Sequence, residues 1–98
     1  MKKSYIYFMT NKNNTVIYTG VTSDLLKRVY QHKTKNEKGF TAKYNCDKLV
    51  YFEAFNDINQ AIKREKQLKS GNRKYKEILI NYENPEWLDL AEGWVFQV

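Results

Sequence analysis

Three segments of the chain have a side-chain pattern with a period of two, which predicts β-strands. They are Ser4 to Thr10, Val16 to Gly20 and Lys48 to Phe55. The first two are separated by the turn-forming run Asn11 to Asn14, so a hairpin is expected between them. Such a hairpin could place Tyr7 and Tyr18 on the same side of the sheet, although the sequence leaves the register open.

The first predicted helix follows this hairpin and runs from Ser23 to Lys33. Thr22 or Ser23 can cap it, with Asp24 in the first turn, where a carboxylate suits the helix dipole. Its expected buried residues are Leu25, Leu26, Val29 and Tyr30. Asp24, Arg28 and His32 recur every four residues and would form a separate stripe along the flank of the helix.

Two longer helices and one short helix are predicted after the third strand. The first begins at the capping Asp57 and ends at about Lys69, before Gly71. The second runs from about Asn72 to Asn81, and Asn84-Pro85-Glu86 has the capping residue, proline and acid that start a short third. The expected buried residues of the two longer helices are Ile58, Ala61, Ile62 and Leu68, and then Tyr75, Ile78 and Leu79.

These elements predict an α+β fold, with a small three-stranded, mostly antiparallel sheet and flanking helices in the order β-β-α-β-α-α. Ninety-eight residues suit a single domain, with a core over about residues 4–87 and a C-terminal extension over residues 88–98. Lys33 to Lys48 has no periodicity and is expected to be a long basic loop. The apolar end Trp94-Val95-Phe96 is a candidate for homodimer or protein contacts.

The net charge of +6 is unevenly spread, since all 17 Lys and Arg residues lie between Lys2 and Lys76. A basic body of this kind favours a polyanionic partner, most simply nucleic acid, over lysines that only keep a small protein soluble. The apolar runs are too short to span a bilayer, no signal-peptide pattern follows Met1, and the lone Cys46 excludes an internal disulfide. We therefore expect a cytoplasmic protein without a membrane partner.

Glu65 lies on the apolar side of its predicted helix, seven residues after Ile58 and three before Leu68. A carboxylate on an apolar helix face is costly unless it is paired, hydrogen-bonded or bound to a metal ion. Arg28 or a divalent cation could supply the opposite charge. The alternative is a glutamate at the edge of the stripe that reaches water.

Arg28 and His32, one helical turn apart, could meet one phosphate, with the guanidinium as a planar fork and the imidazole as a proton-transfer group. A solvated basic helix face is the alternative. Tyr7 and Tyr18 could activate water only if nearby positive charge lowers the phenol pKa from its usual value of about 10. Otherwise they are ordinary strand aromatics.

Four elements of the sequence, taken in order, resemble the GIY-YIG nuclease domain over about Ser4 to Trp87. Tyr5-Ile6-Tyr7 stands for GIY with Tyr in place of Gly, and Tyr18-Thr19-Gly20 stands for YIG with Thr in place of Ile. The segment from Arg28 to His32 is similar to the family's Arg-x-x-x-His element. Ala61 to Lys69 and Asn84 to Trp87 resemble the Arg-Glu-Lys-Gln run and the closing motif of its small stand-alone bacterial (URI-domain-type) members.

The resemblance implies that Tyr7, Tyr18, Arg28, His32 and Glu65 form the active site, and that Glu65 holds one Mg²⁺ or Mn²⁺. It implies a metal-dependent endonuclease that hydrolyses phosphodiester bonds in DNA, single-stranded or branched rather than of defined sequence. A non-catalytic nucleic-acid-binding module on the same fold is the alternative. Many relatives attach a separate DNA-binding region, and here we expect the basic body itself to bind. The expected nucleic-acid-binding residues are Lys33, Lys35, Lys38, Phe40, Lys43, Tyr44, Lys66 and Lys69.

Overall fold

The computed structural model describes residues 2–36 and 38–96 of the chain. Its strands are β1 (Ser4–Thr10), β2 (Ile17–Thr22) and β3 (Lys48–Phe55), and its helices are α1 (Leu25–Thr34), α2 (Phe40–Lys43), α3 (Ile58–Ser70) and α4 (Arg73–Glu83). The strands form one antiparallel sheet in the order β2-β1-β3. The predicted α+β class and element order are confirmed, with the one-turn helix α2 as an addition inside the segment that was expected to be a loop.

Both faces of the central strand β1 are covered. Its side chains alternate between the two faces and so belong to two separate hydrophobic cores. Ile6 and Phe8 point to the face covered by α3 and α4. Tyr7 and Met9 point to the opposite face, where α1 packs. Tyr18 of β2 packs on the α1 face as well, so the predicted common side of the two tyrosines is confirmed.

Strand β3 contains a bulge, and just after it Glu53 forms an ion pair that connects α3 to the sheet. Phe8 pairs with Tyr51 and Met9 pairs with Leu49, which leaves Val50 as the extra residue. Beyond the bulge, the Glu53 carboxylate accepts the Tyr51 hydroxyl at 2.5 Å. It also accepts two N–H groups of Arg64 on α3, at 2.9 and 3.1 Å. This two-pronged contact sets the rotation of α3 about its axis.

The start of α1 differs from the prediction. Asp24 is the capping residue, since its carboxylate accepts the backbone N–H of Lys27, and Thr22 and Ser23 lie outside the helix. The buried residues of α1 are Leu25, Val29 and His32, whereas Leu26 is exposed. His32 therefore belongs to the packed side of the helix and not to an outer flank.

Two predictions for the last third of the chain are wrong. Helix α4 buries Ile80 and leaves Tyr75 and Ile78 exposed, because a different side of the helix leans on the sheet. The segment that begins with Asn84 is a turn and not a helix. The Asn84 side chain is occupied elsewhere, since its amide donates to the carbonyl oxygens of Val50 and Leu88 and accepts the backbone N–H of Leu88.

The segment after this turn packs back onto the α1 face of the sheet. The backbone N–H of Leu90 donates to the Leu49 carbonyl at 2.7 Å, and Trp94 and Phe96 pack against the same core as Tyr7. Much of the apolar end is thus covered by the chain itself, while Val95 remains exposed. No helix in the described residues has the length and apolar character needed to cross a membrane.

Candidate active site

A buried chain of hydrogen-bonded side chains connects β1, α1 and α2. The Tyr7 hydroxyl lies 2.8 Å from Nε2 of His32, and Nδ1 of His32 lies 3.0 Å from Oγ1 of Thr41. The three residues are only 0%, 4% and 7% exposed. The imidazole is therefore held at both ring nitrogens. The sequence pointed to Tyr7 and His32 but not to Thr41, because Thr41 carries no motif and lies in the segment without periodicity.

Tyr18 stands between this buried chain and the surface. Its ring centroid is 5.5 Å from that of His32, in an edge-on arrangement, and 6.2 Å from that of Tyr7. Unlike those two residues, Tyr18 is only half-buried. Of the three aromatic residues predicted for the site, Tyr18 is the one that solvent, and hence a substrate, can reach.

The aromatic contacts continue from Tyr18 onto the surface of α2. The Phe40 ring lies 6.0 Å from that of Tyr18 and 4.7 Å from that of Tyr44. Phe40 is 49% and Tyr44 is 40% exposed, and the Lys43 ammonium lies 5.4 Å from the centre of the Tyr44 ring. We call Phe40, Lys43 and Tyr44 the α2 surface. It combines exposed rings with positive charge directly beside the candidate site.

Arg28 lies in a cleft of about 510 Å³ at the C-terminal end of β2. Val21 and Thr22 of β2 line this cleft together with Arg28 of α1 and Ile58 of α3. The Arg28 guanidinium donates to the side-chain oxygen of Gln31 at 3.2 Å. Because α1 and α3 cover opposite faces of the sheet, the cleft marks the place where they approach each other around the free edge of β2.

Glu65 is placed beside the same strand by the course of α3. The helix begins at Ile58, next to the C-terminal end of β2. Just after α3 ends, Arg73 donates to the backbone oxygens of Asn14 and Thr15, in the turn that precedes β2. Helix α3 therefore runs antiparallel to β2. Glu65 lies near its middle, about 10 Å along the axis from Ile58, and so at the level of the centre of β2.

The Glu65 carboxylate is largely shielded from water and lies next to a cation. Its side chain is 14% exposed and its Oε2 lies 3.1 Å from the ammonium of Lys69, one helical turn further on. Ala61 and Leu68, on either side of it along the helix, are fully buried. The charge partner in the structure is thus Lys69, where the sequence had suggested Arg28 or a metal ion.

The Glu65 carboxylate fits a divalent cation that takes one ligand from the protein and its other ligands from water and the substrate. Within residues 2–36 and 38–96, no group of three or more His, Cys, Asp and Glu could hold a metal ion. Mg²⁺ needs no such group, since one or two carboxylates usually hold it together with waters and substrate phosphates. The ion pair with Lys69 shows that positive charge is accommodated beside this carboxylate, and the Lys69 side chain is half exposed.

The lysines predicted to bind nucleic acid fall into two groups. Lys33 is part of the fold, because it forms an ion pair with Asp89 and donates to the Asp47 carbonyl at 3.0 Å. The others have exposed side chains, three of them in the segment around α2 and two on α3. In chain order they are Lys35, Lys38, Lys43, Lys66 and Lys69.

Comparisons with known proteins agree with these features. Residues 3–78 match the family model of the GIY-YIG catalytic domain. The chain is 35% identical over 81 residues to a UPF0213 protein of Staphylococcus saprophyticus, an alignment that covers 83% of this chain and 98% of the relative. It is 36% identical over 90 residues to a UPF0213 protein of Syntrophus aciditrophicus, with 88% and 98% covered. These names state no activity.

A solved structure has the same fold. The solution NMR structure of a UPF0213 protein from Bacillus halodurans aligns with a TM-score of 0.57 at 23% sequence identity. The alignment covers 96% of this chain and 99% of the other.

Proposed function

Because the chain belongs to the GIY-YIG family, we propose that it is a metal-dependent endonuclease that hydrolyses phosphodiester bonds in DNA. Single-stranded or branched DNA is the proposed substrate, without a defined sequence. The observation that carries this proposal is the position of Tyr18, whose ring contacts buried His32 on one side and exposed Phe40 on the other. The tyrosine proposed to act in catalysis lies directly beside exposed rings on which unpaired bases could stack.

Three of the five predicted site residues keep part of their surface exposed, namely Tyr18, Arg28 and Glu65. We propose that Tyr18, whose ring lies between buried His32 and exposed Phe40, takes a proton from the attacking water. Arg28 offers a planar pair of N–H donors to the phosphate and stabilises the charge that develops there. A divalent cation held by Glu65 would supply further positive charge at the same phosphate.

Tyr7 and His32 have a different proposed role because they are buried. Neither side chain can reach a phosphate from its place behind Tyr18. Their hydrogen bond and their ring contacts with Tyr18 instead hold that ring in position. Orientation of this kind contributes to rate because a reacting group that is already aligned loses less entropy in the transition state.

Affinity for unpaired bases is proposed to come from the α2 surface. Stacking of a base on an exposed aromatic ring contributes about 1–3 kcal/mol and requires that the base is not in a duplex. The exposed lysines around α2 and on α3 would bind phosphates without reading sequence. These two features favour single-stranded and branched DNA over a defined duplex sequence.

The test is to incubate the purified protein with labelled single-stranded, duplex and branched DNA, with and without Mg²⁺ or Mn²⁺. Cleavage is expected for the single-stranded or branched DNA, and only with the metal present. Binding of these DNAs without cleavage under every metal condition would contradict the nuclease proposal. That result would identify the chain as a nucleic-acid-binding module on the same fold.

A further inference from the structure

The short helix α2 has an inner and an outer side with different contacts. Phe40 and Tyr44 are exposed on the outer side, whereas Thr41 is buried and reaches the imidazole of His32. A backbone hydrogen bond connects α2 to the buried Cys46, whose N–H donates to the Thr41 carbonyl at 2.8 Å. The element that carries the proposed base-stacking rings thus also carries a hydroxyl in contact with the site.

The position of the Thr41 hydroxyl bears on the state of His32. A neutral imidazole has one nitrogen that donates a hydrogen bond and one that accepts, and its neighbours decide which is which. Here Nε2 faces the Tyr7 hydroxyl and Nδ1 faces the Thr41 hydroxyl. Because a hydroxyl can donate or accept, this arrangement suits either tautomer, and what it fixes is the orientation of the ring. Replacing the Thr41 hydroxyl by a methyl group removes a hydrogen bond from Nδ1 and so weakens this hold on the ring.

We propose that Thr41 is a positioning residue, whose hydroxyl holds the His32 imidazole in one orientation and thereby sets the place of the Tyr18 ring. The step from His32 to Tyr18 follows from their edge-on contact at 5.5 Å. The effect of this positioning on turnover rests on the proposed nuclease function. The hydrogen bond between Thr41 and His32 does not depend on that function, so it can be tested separately.

The experiment uses ¹⁵N NMR of the imidazole ring, and it is unambiguous because His32 is the one histidine of the chain. Thr41→Val removes the hydroxyl and keeps the branched shape, while Thr41→Ser keeps the hydroxyl. Thr19→Val is the matched control, because Thr19 is also buried and its hydroxyl has no hydrogen-bond partner among the described residues. If Thr41→Val does not fold, Thr41→Ala makes the same deletion without the methyl groups.

The wild type, Thr41→Ser and Thr19→Val should give nearly the same ¹⁵N chemical shift for Nδ1 of His32, since each keeps the hydrogen bond from residue 41. In Thr41→Val the Nδ1 signal should move, because that nitrogen has lost this hydrogen bond, and the ring signals of Tyr18 should move with it. With single-stranded DNA as substrate, kcat of this variant should fall about 10-fold, as is common when a group that orients a site residue is lost, with KM nearly unchanged. Thr41→Ser should restore kcat.

An unchanged ¹⁵N spectrum in Thr41→Val would overturn the proposal whatever the activity. A changed spectrum with wild-type kcat would overturn the link from His32 to Tyr18. If the wild type cleaves no DNA, the nuclease proposal fails by itself. The spectra then still decide the role of Thr41, with the ring signals of Tyr18 as the readout in place of turnover.

Discussion

The ring of Tyr7 lies directly against the backbone of Gly20, its partner across β1 and β2. A Cβ atom on residue 20 would lie 2.4 Å from Cζ and 2.5 Å from the hydroxyl oxygen of Tyr7. The ring cannot easily move aside, because it is buried and its hydroxyl is bonded to His32. Residue 20, the last of Tyr18-Thr19-Gly20, must therefore be a glycine because the Tyr7 ring fills the space that a side chain would need.

We therefore expect Gly20→Ala to displace the Tyr7 ring and to lower the free energy of unfolding by about 1–3 kcal/mol, the usual cost of overpacking. Cleavage should fall with it, because the contact of Tyr7 with His32 is disturbed. Urea unfolding and a cleavage assay measure the two effects. Gly71→Ala is the control, since a Cβ there meets its nearest atoms at an ordinary 3.5 Å. Equal stability of the two variants would contradict the argument.

Replacing Glu65 by Gln should abolish cleavage and leave DNA binding in place. The change removes the carboxylate proposed to hold the metal ion but keeps the size of the side chain, so we expect a loss of about 100-fold or more in kcat. Binding is followed by fluorescence anisotropy. Glu77→Gln is the control, because Glu77 also pairs with a basic residue on its own helix, here Arg73, but lies on α4. Full activity of Glu65→Gln would exclude its metal role.

Arg28→Ala should reduce turnover much more than binding. The guanidinium is proposed to stabilise charge that develops in the transition state, so we expect kcat to fall about 100-fold. Lys27→Ala removes a neighbouring exposed cation of the same helix and controls for the loss of one positive charge. Similar kinetics for the two variants would mean that Arg28 acts only as a general surface charge.

Phe40→Ala and Tyr44→Ala should each weaken binding to single-stranded DNA by about 1–3 kcal/mol, the contribution of one stacked base. Duplex binding should change little, because paired bases cannot stack on these rings. Tyr82→Ala is the control, since Tyr82 is 86% exposed but lies on α4, in the acidic last part of the chain. Anisotropy titrations at two salt concentrations would also show the steep salt dependence expected of phosphate contacts. An equal effect on duplex binding would argue against stacking.

The ion pair between Glu53 and Arg64 should make stability depend on pH. Burial acts to raise the pKa of the Glu53 carboxyl, but hydrogen bonds from Arg64 and Tyr51 outweigh it and hold this pKa below its usual value. A lowered pKa in the folded state means that the pair stabilises the protein above the ordinary glutamate pKa of about 4.3. This contribution is lost as the pH falls through the folded-state value.

We accordingly expect Glu53→Gln to lower the free energy of unfolding by about 1–3 kcal/mol at neutral pH, because it leaves the partly buried Arg64 without its counter-charge. Below about pH 4 the difference from the wild type should shrink, since protonation then removes the same charge from the wild type. Urea unfolding at several pH values measures both. A difference that stays constant with pH would mean that packing, and not the ion pair, is responsible.

The sequence by itself determined the features that depend on near neighbours in the chain. The bounds of β1 and β3, the capping Asp57 and the stop at Gly71 are all as predicted. Each depends on side-chain alternation or on a hydrogen bond within a few residues. The motif residues of the candidate site could be found in the same way, because their spacing on strands and helices is local.

Only the tertiary structure decided which of these residues are buried and what they contact. The side of α1 that carries His32, the turn at Asn84 and the contact of Tyr7 with Gly20 depend on elements far apart in the chain. Thr41 is the clearest case, since its role depends on a nitrogen atom that α1 brings within 3.0 Å. Packing of this kind is set by the fit of whole elements, so the pattern along one segment is not enough to determine it.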